Sequence, residues 1–203
     1  DLAKVKTNTK EKREEDRYQF DDMFNSNFYA KMPDENWISD NTVLRADTEN
    51  VIEYNVKNNK SVVLFSRDTL MDLGIYFKDY KTISPDQKWM LFAVEEKQKY
   101  RYSTVAKYFA VNKETHEVVN ISTQGSDSLS PIQFISWGKS QNSLVFVSGN
   151  DIYWMESVDN PNVIRITSNG REKILFNGIP DWVYEEEILG SRPSLVVSPD
   201  DKH

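Results

Sequence analysis

Cysteine is absent from this chain of 203 residues, and histidine occurs only twice, as His116 and His203. The lack of cysteine excludes disulfides and thiolate metal sites within the chain. Two histidines are too few for a histidine-rich metal site, and no calcium-loop spacing occurs. We therefore expect no metal ion in this chain.

Glycine is also scarce, with seven residues that do not cluster. A phosphate-binding loop needs several glycines within a few positions, so we expect no nucleotide and no other cofactor. The Gly-x-Ser-x-Gly string of an α/β-hydrolase nucleophile does not occur either. His116 lies in "NKETHEVV", which has turn composition, and we interpret it as a solvent-facing residue rather than a catalytic base. The sequence thus predicts no catalytic residue in this chain.

Long apolar runs are missing too, since none approaches the ~18 residues of a membrane helix. The opening segment "DLAKVKTNTKEKREEDR" does not have a signal-peptide pattern, so we expect any targeting segment to lie outside this chain. The net charge of −7 gives no electrostatic footprint for nucleic acid, and we expect no such partner. An aromatic content of 12% argues against a disordered chain.

Short hydrophobic segments separated by turn-forming residues fill the chain from residue 37 to 178. "TVLRA", "VIEYNV", "SVVLF", "WMLFAVEE" and "TVAKYFAVN" are rich in β-branched and aromatic residues, as are "IQFISW", "SLVFVSG" and "DIYWMES". No sustained helical period occurs there, so the pattern predicts an all-β fold. Residues 1–17 are charged and predict a flexible arm. Apolar spacing just after them suits a short helix or turn.

A repeat underlies these strands, with similar segments starting near residues 36, 81, 134 and 194. Each gives a strand and a turn built on Ser-Pro-Asp or a relative, usually followed by a second strand. Repeats of about 40 to 60 residues are typical of β-propeller blades. A β-sandwich is the alternative, but the recurring turn favours the propeller. We therefore expect residues 18–203 to form a partial propeller of about three blades plus the start of a fourth, within a larger protein.

The segment "IPDWVYEEEILGSR", residues 179–192, contains three consecutive glutamates. Asp181 can cap a short helix, and glutamates in its first turn would interact favourably with the helix dipole. The alternative is a binding site. Consecutive helical residues point about 100° apart, so Glu186 and Glu187 could flank one small volume with Glu185 turned elsewhere. Two close carboxylates suit a primary ammonium, which offers three donors.

Several strings resemble the dipeptidyl peptidase IV family: "WISDNTVL", "TISPDQKWMLFAVEEKQKYRYSTVAKYFAVN" and above all "FNGIPDWVYEEEIL". The resemblance covers roughly residues 18 to 199. It implies the N-terminal part of an eight-bladed propeller that precedes an α/β-hydrolase domain in a serine exopeptidase. Such enzymes remove X-Pro or X-Ala dipeptides from peptides with a free N-terminus. Carried over, Glu186 and Glu187 bind the substrate ammonium, and Arg101 reaches the substrate carbonyl region.

The chain also departs from the family pattern. After the glutamates it reads "SRPSLVVSPDDKH", with Val196 and Val197 where family members carry tryptophans. The residues of the hydrolase triad are not in this chain, so we expect it to be inactive alone. Some members have lost the catalytic serine and serve as channel subunits. An interaction protein without catalysis, a pseudoenzyme relative or a truncated secreted form, therefore remains the alternative, and the sequence leaves open whether the protein is an enzyme.

The resemblance also carries expectations about location and assembly. It implies a secreted protein or one on the extracellular side of the plasma membrane, and a homodimer in the full-length protein. Two sequons, Asn59-Lys60-Ser61 and Asn120-Ile121-Ser122, make Asn59 and Asn120 candidate glycosylation sites. Sequons also arise by chance, so they are weak support for a secretory route.

Overall fold

A computed structural model describes residues 34–46, 50–75, 80–124, 129–139 and 142–201. Within these ranges, three antiparallel sheets of four strands each follow one another along the chain. The first contains β1 (Asp34–Ser39), β2 (Thr42–Ala46), β3 (Asn50–Asn55) and β4 (Lys60–Ser66). The second contains β5 (Tyr80–Ile83), β6 (Trp89–Gln98), β7 (Thr104–Asn112) and β8 (Val118–Ile121). The third contains β9 (Phe134–Trp137), β10 (Leu144–Ser148), β11 (Asp151–Met155) and β12 (Val163–Arg165).

Consecutive strands are neighbours in every sheet, as in the blades of a propeller. The prediction of an all-β, partial propeller fold is therefore confirmed. The predicted arm at residues 1–17 and the apolar segment after it lie outside the described residues. Among the described residues, no helix is both long enough and apolar enough to cross a membrane.

The second sheet is buried on both faces, which explains the continuous apolar run "WMLFA" in β6. Side chains alternate along a strand, so neighbouring residues enter different cores. Met90 and Phe92 pack with residues of the first sheet, including Leu44 and Phe65. On the other face, a second core joins this sheet to the third sheet. Its members include Trp89, Leu91, Ala93, Tyr108, Trp137, Leu144, Phe146 and Met155.

A short helix that the strand pattern did not predict, α1 (Arg67–Asp72), follows β4. Ser66 caps it, because its hydroxyl accepts a hydrogen bond from the Thr69 backbone N–H at 3.2 Å. Leu70 is its fully buried residue and belongs to the first core. Six residues are too few to show a helical period in the sequence. The helix is therefore recognised only in the structure, where Leu70 packs against the sheets.

The Ser-Pro-Asp turns explain why the repeat exists. In the second sheet, the Ser84 hydroxyl donates to Asp86 at 2.7 Å and accepts from the Trp89 N–H at 3.0 Å, closing the turn before β6. Asp86 also accepts from the Asn142 side chain at 2.9 Å, which links this turn to the third sheet. In the later Ser-Pro-Asp turn, Ser198 likewise donates to Asp200 at 2.7 Å, and the next residue, Asp201, links this turn to the third sheet by accepting from the Ser143 hydroxyl at 2.9 Å. The repeated turn therefore both shapes a blade and joins it to the next.

Candidate functional site

A short helix with π-type hydrogen bonding carries the three glutamates at Tyr184–Leu189, and we call it the glutamate helix. Asp181 caps the turn that leads into it, since its carboxylate accepts from the Tyr184 N–H at 2.9 Å. Gly190 ends the helix with a φ of 56°, a left-handed conformation that glycine adopts without strain. The sequence predicts a short helix that carries the glutamates, and the structure contains it at Tyr184–Leu189.

The three glutamate side chains have different environments although they are adjacent in sequence. Glu185 has no exposed surface, whereas the Glu186 side chain is 10% exposed. Glu187 is exposed and forms no ion pair within the part of the chain that the structure describes. The helix thus buries one carboxylate, leaves one at its edge and presents one to solvent.

The partner of these glutamates is the loop between β6 and β7, residues 99–103, which we call the arginine loop. A bulge between Val94 and Lys97 interrupts the β6–β7 pairing before the loop, and side chains 95–99 are exposed. Inside the loop, the Ser103 carbonyl accepts from the Lys99 N–H at 2.9 Å. The Gln98 side-chain amide donates to the Arg101 carbonyl at 3.0 Å and also to the Tyr100 carbonyl. These bonds close a tight turn with Arg101 at its tip.

Arg101 contacts Glu186 through both its side chain and its backbone. Its Nε lies 3.1 Å from Glu186 Oε2, and its N–H donates to Glu186 Oε1 at 3.3 Å. Arg101 therefore lies in the loop after β6 and pairs with a carboxylate. Because the Arg101 side chain is 68% exposed, we expect the pair to add little to folding stability. The Arg101–Glu186 pair instead fixes the position of the guanidinium beside the glutamate helix.

Glu185 is a residue of the candidate site whose partners the sequence does not reveal. One of its oxygens, Oε1, accepts from the Tyr102 N–H at 2.8 Å and from the Ser103 N–H at 3.0 Å. The sequence interpretation gave it only a place at the helix start. No local signal distinguishes it from its neighbours, because its partners lie more than 80 residues earlier in the chain.

A small cavity of about 10 Å³ borders both the glutamate helix and the arginine loop. Glu185, Ser103 and Arg192 contribute to its lining. The Arg192 guanidinium donates to the Gln133 carbonyl at 2.9 Å and to the Tyr108 hydroxyl at 3.2 Å. Arg192 thus connects the segment after the glutamate helix to both the second and the third sheets.

The charges at the edge of the site do not balance. Glu186 and Glu187 carry two negative charges when ionised, and Arg101 supplies the one cationic group that pairs with either of them among the described residues. A compact cation with several N–H donors would complete this arrangement. Within the described residues, no group of three or more potential metal ligands is present. A primary ammonium is the chemistry that fits the remaining carboxylate.

The other singled-out residues lie away from this site. His116 is exposed, as expected, and its ring lies 5.2 Å from the Phe65 ring. Asn59 is exposed in the turn between β3 and β4, where its side chain accepts from the Tyr54 hydroxyl at 2.6 Å. Asn120 lies in β8 and is half-buried. Glycosylation of the two asparagines stays a prediction.

Comparison with known proteins assigns the chain to a class. The family model described as the dipeptidyl peptidase IV (DPP IV) N-terminal region matches residues 84–203. This chain therefore belongs to the dipeptidyl peptidase IV family. The fold is also similar to the crystal structure of Porphyromonas gingivalis dipeptidyl peptidase 4, with a TM-score of 0.68 at 22% identity. That match covers 79% of this chain and 22% of the other.

Curated relatives include proteins named as peptidases and proteins named as inactive. The chain is 34% identical to prolyl endopeptidase FAP of Mus musculus over 89% of its length. It is 32% identical to inactive dipeptidyl peptidase 10 of Mus musculus over 92% of its length. In each case the chain spans 23% of the relative's own length. Family membership alone therefore does not separate an enzyme from an inactive relative.

Proposed function

We propose that this chain recognises the free N-terminal ammonium of a peptide through Glu186 and Glu187. The observation that carries this proposal is the arrangement around Glu186. Its carboxylate is largely buried and held by Arg101, while Glu187 beside it is exposed and has no ion-pair partner among the described residues. The ammonium would bind between the two carboxylates.

Charge and geometry support this role. An ammonium donates three hydrogen bonds from a compact head, so it can contact both carboxylates at once. Arg101 offsets part of the negative charge of the pair, which reduces the repulsion between the two carboxylates. Its guanidinium is mostly exposed and retains donors for the peptide carbonyl that follows the ammonium. The site would therefore distinguish a free N-terminus from an internal or acylated one.

A titration of the 203-residue chain tests the recognition directly. Two-dimensional amide NMR with isotope-labelled protein would follow binding of Gly-Pro-amide, with N-acetyl-Gly-Pro-amide as the blocked control. We expect shifts at Arg101 and along the glutamate helix with the free amine only. Removing one member of a buried charge pair costs about 2–5 kcal/mol. Because this site is partly open, we expect Glu186→Gln with Glu187→Gln to weaken binding at least ~10-fold.

Glu114→Gln is the matched control, because Glu114 is exposed in the turn beyond the other end of β7. It should bind the free amine as the wild type does. Equal binding of the free and the acetylated peptide would contradict the proposal. Undiminished binding by the Glu186→Gln, Glu187→Gln variant would contradict it as well.

At the level of the whole protein, we propose that the site serves a serine exopeptidase that removes X-Pro or X-Ala dipeptides. The similarity to proteins named as peptidases supports this proposal. The test uses a form of the protein that includes a hydrolase domain. Release of the reporter from Gly-Pro substrates should fall sharply when Glu186 and Glu187 are both changed to Ala. Unchanged release would refute the assigned role.

A second candidate is a non-catalytic interaction protein of the same family. The similarity to inactive dipeptidyl peptidase 10 supports this candidate, because the identity of 32% is close to the 34% found with prolyl endopeptidase FAP. The coding sequence downstream of His203 discriminates between the two functions. A nucleophile string of the Gly-x-Ser-x-Gly type there would support the enzyme, and a substituted serine would support the interaction protein.

The proposed location is the secretory route, with a homodimer as the assembled form. Exposure of Asn59 in a turn supports its accessibility to a glycosyltransferase. Expression in secreting eukaryotic cells should give a product whose electrophoretic mobility changes on glycosidase treatment. Asn59→Gln should remove that change in whole or in part. Sedimentation of the full-length protein would test the dimer.

A further inference from the structure

We infer that Glu185 is a positioning residue, whose buried carboxylate holds the arginine loop so that Arg101 lies beside Glu186. The function of this anchor rests on the proposed amine recognition by Glu186 and Glu187. Glu185 itself would not touch the ligand, because none of its surface is exposed. The triplet would thus combine one anchor with two ligand-binding groups.

The hydrogen bonds of Glu185 point to this role. A glutamate that serves only the helix start would interact with the amides of its own helix. Instead, Glu185 Oε1 accepts from the N–H groups of Tyr102 and Ser103, the two residues that follow Arg101. Two successive amides that donate to one side-chain oxygen fix the loop backbone at two adjacent residues. Arg101 is therefore bounded on its C-terminal side by an anchored backbone.

The remaining contacts of the loop do not replace this anchor. The Gln98 amide and the Lys99 N–H bond only within the turn, so they set its local shape. Arg101 and Glu186 form a pair that is partly open to water and easily exchanged. Among these bonds, those of Glu185 are part-buried, end on a carboxylate with no exposed surface, and tie the loop to the glutamate helix. Without them, the Arg101–Glu186 pair and the contact of Lys99 Nζ with the Phe176 ring, 5.9 Å from its centroid, would have to hold the loop in place.

The second oxygen of Glu185 also distinguishes this carboxylate from an ordinary structural one. Glu185 Oε2 and the Ser103 hydroxyl are both buried, and neither has a hydrogen-bond partner within the described residues. Both residues line the cavity of about 10 Å³ that also includes Arg192. Buried polar groups that lack partners are uncommon and recur at functional sites. Glu185 and Ser103 therefore both face the cavity that borders the glutamate helix and the arginine loop.

Amide hydrogen exchange measured by NMR tests the anchor without a ligand. In Glu185→Ala, we expect the Tyr102 and Ser103 amides to exchange at least ~10-fold faster, since they lose their buried acceptor. Exchange of Phe109 in β7 should stay unchanged, which shows that the sheet remains folded. Glu185→Gln keeps an oxygen acceptor of the same length, so its exchange should lie between those of wild type and Ala. Glu187→Ala should leave all three amides unchanged.

A double-mutant cycle tests whether Glu185 acts through Arg101. We expect Glu185→Ala to weaken binding of Gly-Pro-amide at least ~3-fold in the wild type, and to have no further effect after Arg101→Ala. Partial recovery by Glu185→Gln would support positioning, because that change restores the acceptor. Additive losses would overturn the inference, and so would wild-type exchange at Tyr102 and Ser103 in Glu185→Ala.

The two proposals fail in different ways. If the wild type binds no free-amine peptide, the proposed recognition fails, while the exchange experiment still decides whether Glu185 anchors the loop. If binding depends on Glu186 and Glu187 but not on Glu185, recognition stands and positioning is refuted.

Discussion

Asp151 and Glu185 are both buried carboxylates, but their hydrogen-bond partners differ in number and kind. Asp151, at the start of β11, accepts from the Thr167 hydroxyl at 2.8 Å and the Gly170 N–H at 2.9 Å. It also accepts from the Asn177 side chain at 3.1 Å and forms an ion pair with Arg165. Glu185 has two backbone donors on one oxygen and no described partner for the other.

This difference separates a structural carboxylate from one tied to a site. Both oxygens of Asp151 have partners, so the cost of burying its charge is offset within the third sheet and the segment that follows it. Gly170 is required there, because a Cβ at this position would lie 2.5 Å from the Asn150 carbonyl oxygen. Glu185 retains an unpartnered oxygen beside a cavity and joins two elements that are distant in sequence. The partners of Asp151 thus lie within one region of the fold, whereas those of Glu185 join the glutamate helix to the arginine loop.

The largest expected effect comes from removing the structural carboxylate. Asp151→Ala leaves the donors of Thr167, Gly170 and Asn177 without their shared acceptor. Each buried donor left unpaired costs about 1–3 kcal/mol, and we expect a total loss of roughly 2–4 kcal/mol in the free energy of unfolding. Urea denaturation followed by tryptophan fluorescence measures it. Asp40→Ala, at an exposed turn, is the control. A loss no larger than that of the control would show that Asp151 is not a structural carboxylate.

The pH dependence of stability should also report on Asp151, because its pKa differs between the folded and the unfolded chain. Burial alone would raise the pKa of Asp151, but hydrogen bonds from Arg165, Thr167 and Gly170 outweigh it and hold the pKa below the ordinary value of 3.8. A carboxyl group whose pKa is lowered by folding contributes stability above its unfolded pKa, and this contribution is lost as pH falls through the folded value. We therefore expect wild-type stability to decrease as pH falls below 3.8.

Asp151→Asn sharpens this test, because it keeps one acceptor oxygen and removes the titrating group. Its stability should be lower than that of the wild type at neutral pH and should change less with pH in the acidic range. Urea midpoints measured at a series of pH values give both curves. Parallel curves for the two proteins would mean that Asp151 is not the group responsible.

The smallest effect on stability is expected at the exposed member of the triplet. Glu187→Ala removes a side chain without a described ion pair, so the free energy of unfolding should change by less than ~0.5 kcal/mol. Binding of Gly-Pro-amide should nevertheless weaken, since the proposed ligand contact is lost. A stability loss as large as that of Asp151→Ala would show that Glu187 is part of the fold.

The strands that the sequence predicted well are those with a strong hydrophobic pattern. "TVAKYFAVN" corresponds to β7 in full, and "WMLFAVEE" lies within β6. The short outer strands β8 and β12, of four and three residues, carry too little pattern to be recognised. They form because β7 and β11 present backbone N–H and C=O groups with which β8 and β12 pair.

Prediction of the candidate site was less complete. The acidic triplet and Arg101 were singled out from motifs that resemble a family, and the structure brings Arg101 next to Glu186. The roles of these residues stay predictions. The helical turn separates Glu185 from the Glu186–Glu187 pair already in the sequence, but it does not reveal the partners of Glu185, which lie more than 80 residues earlier.

The sequence by itself determined the all-β class, the repeating turn and the family, since these depend on side-chain alternation and on short motifs. Tertiary structure decided how the glutamates divide. A loop of the second sheet meets a helix more than 80 residues later, and only that meeting buries Glu185, pairs Glu186 with Arg101 and leaves Glu187 exposed. The physical reason is that the atoms surrounding a side chain set its burial and its hydrogen-bond partners. Identical residues that are adjacent in a sequence can have different surroundings.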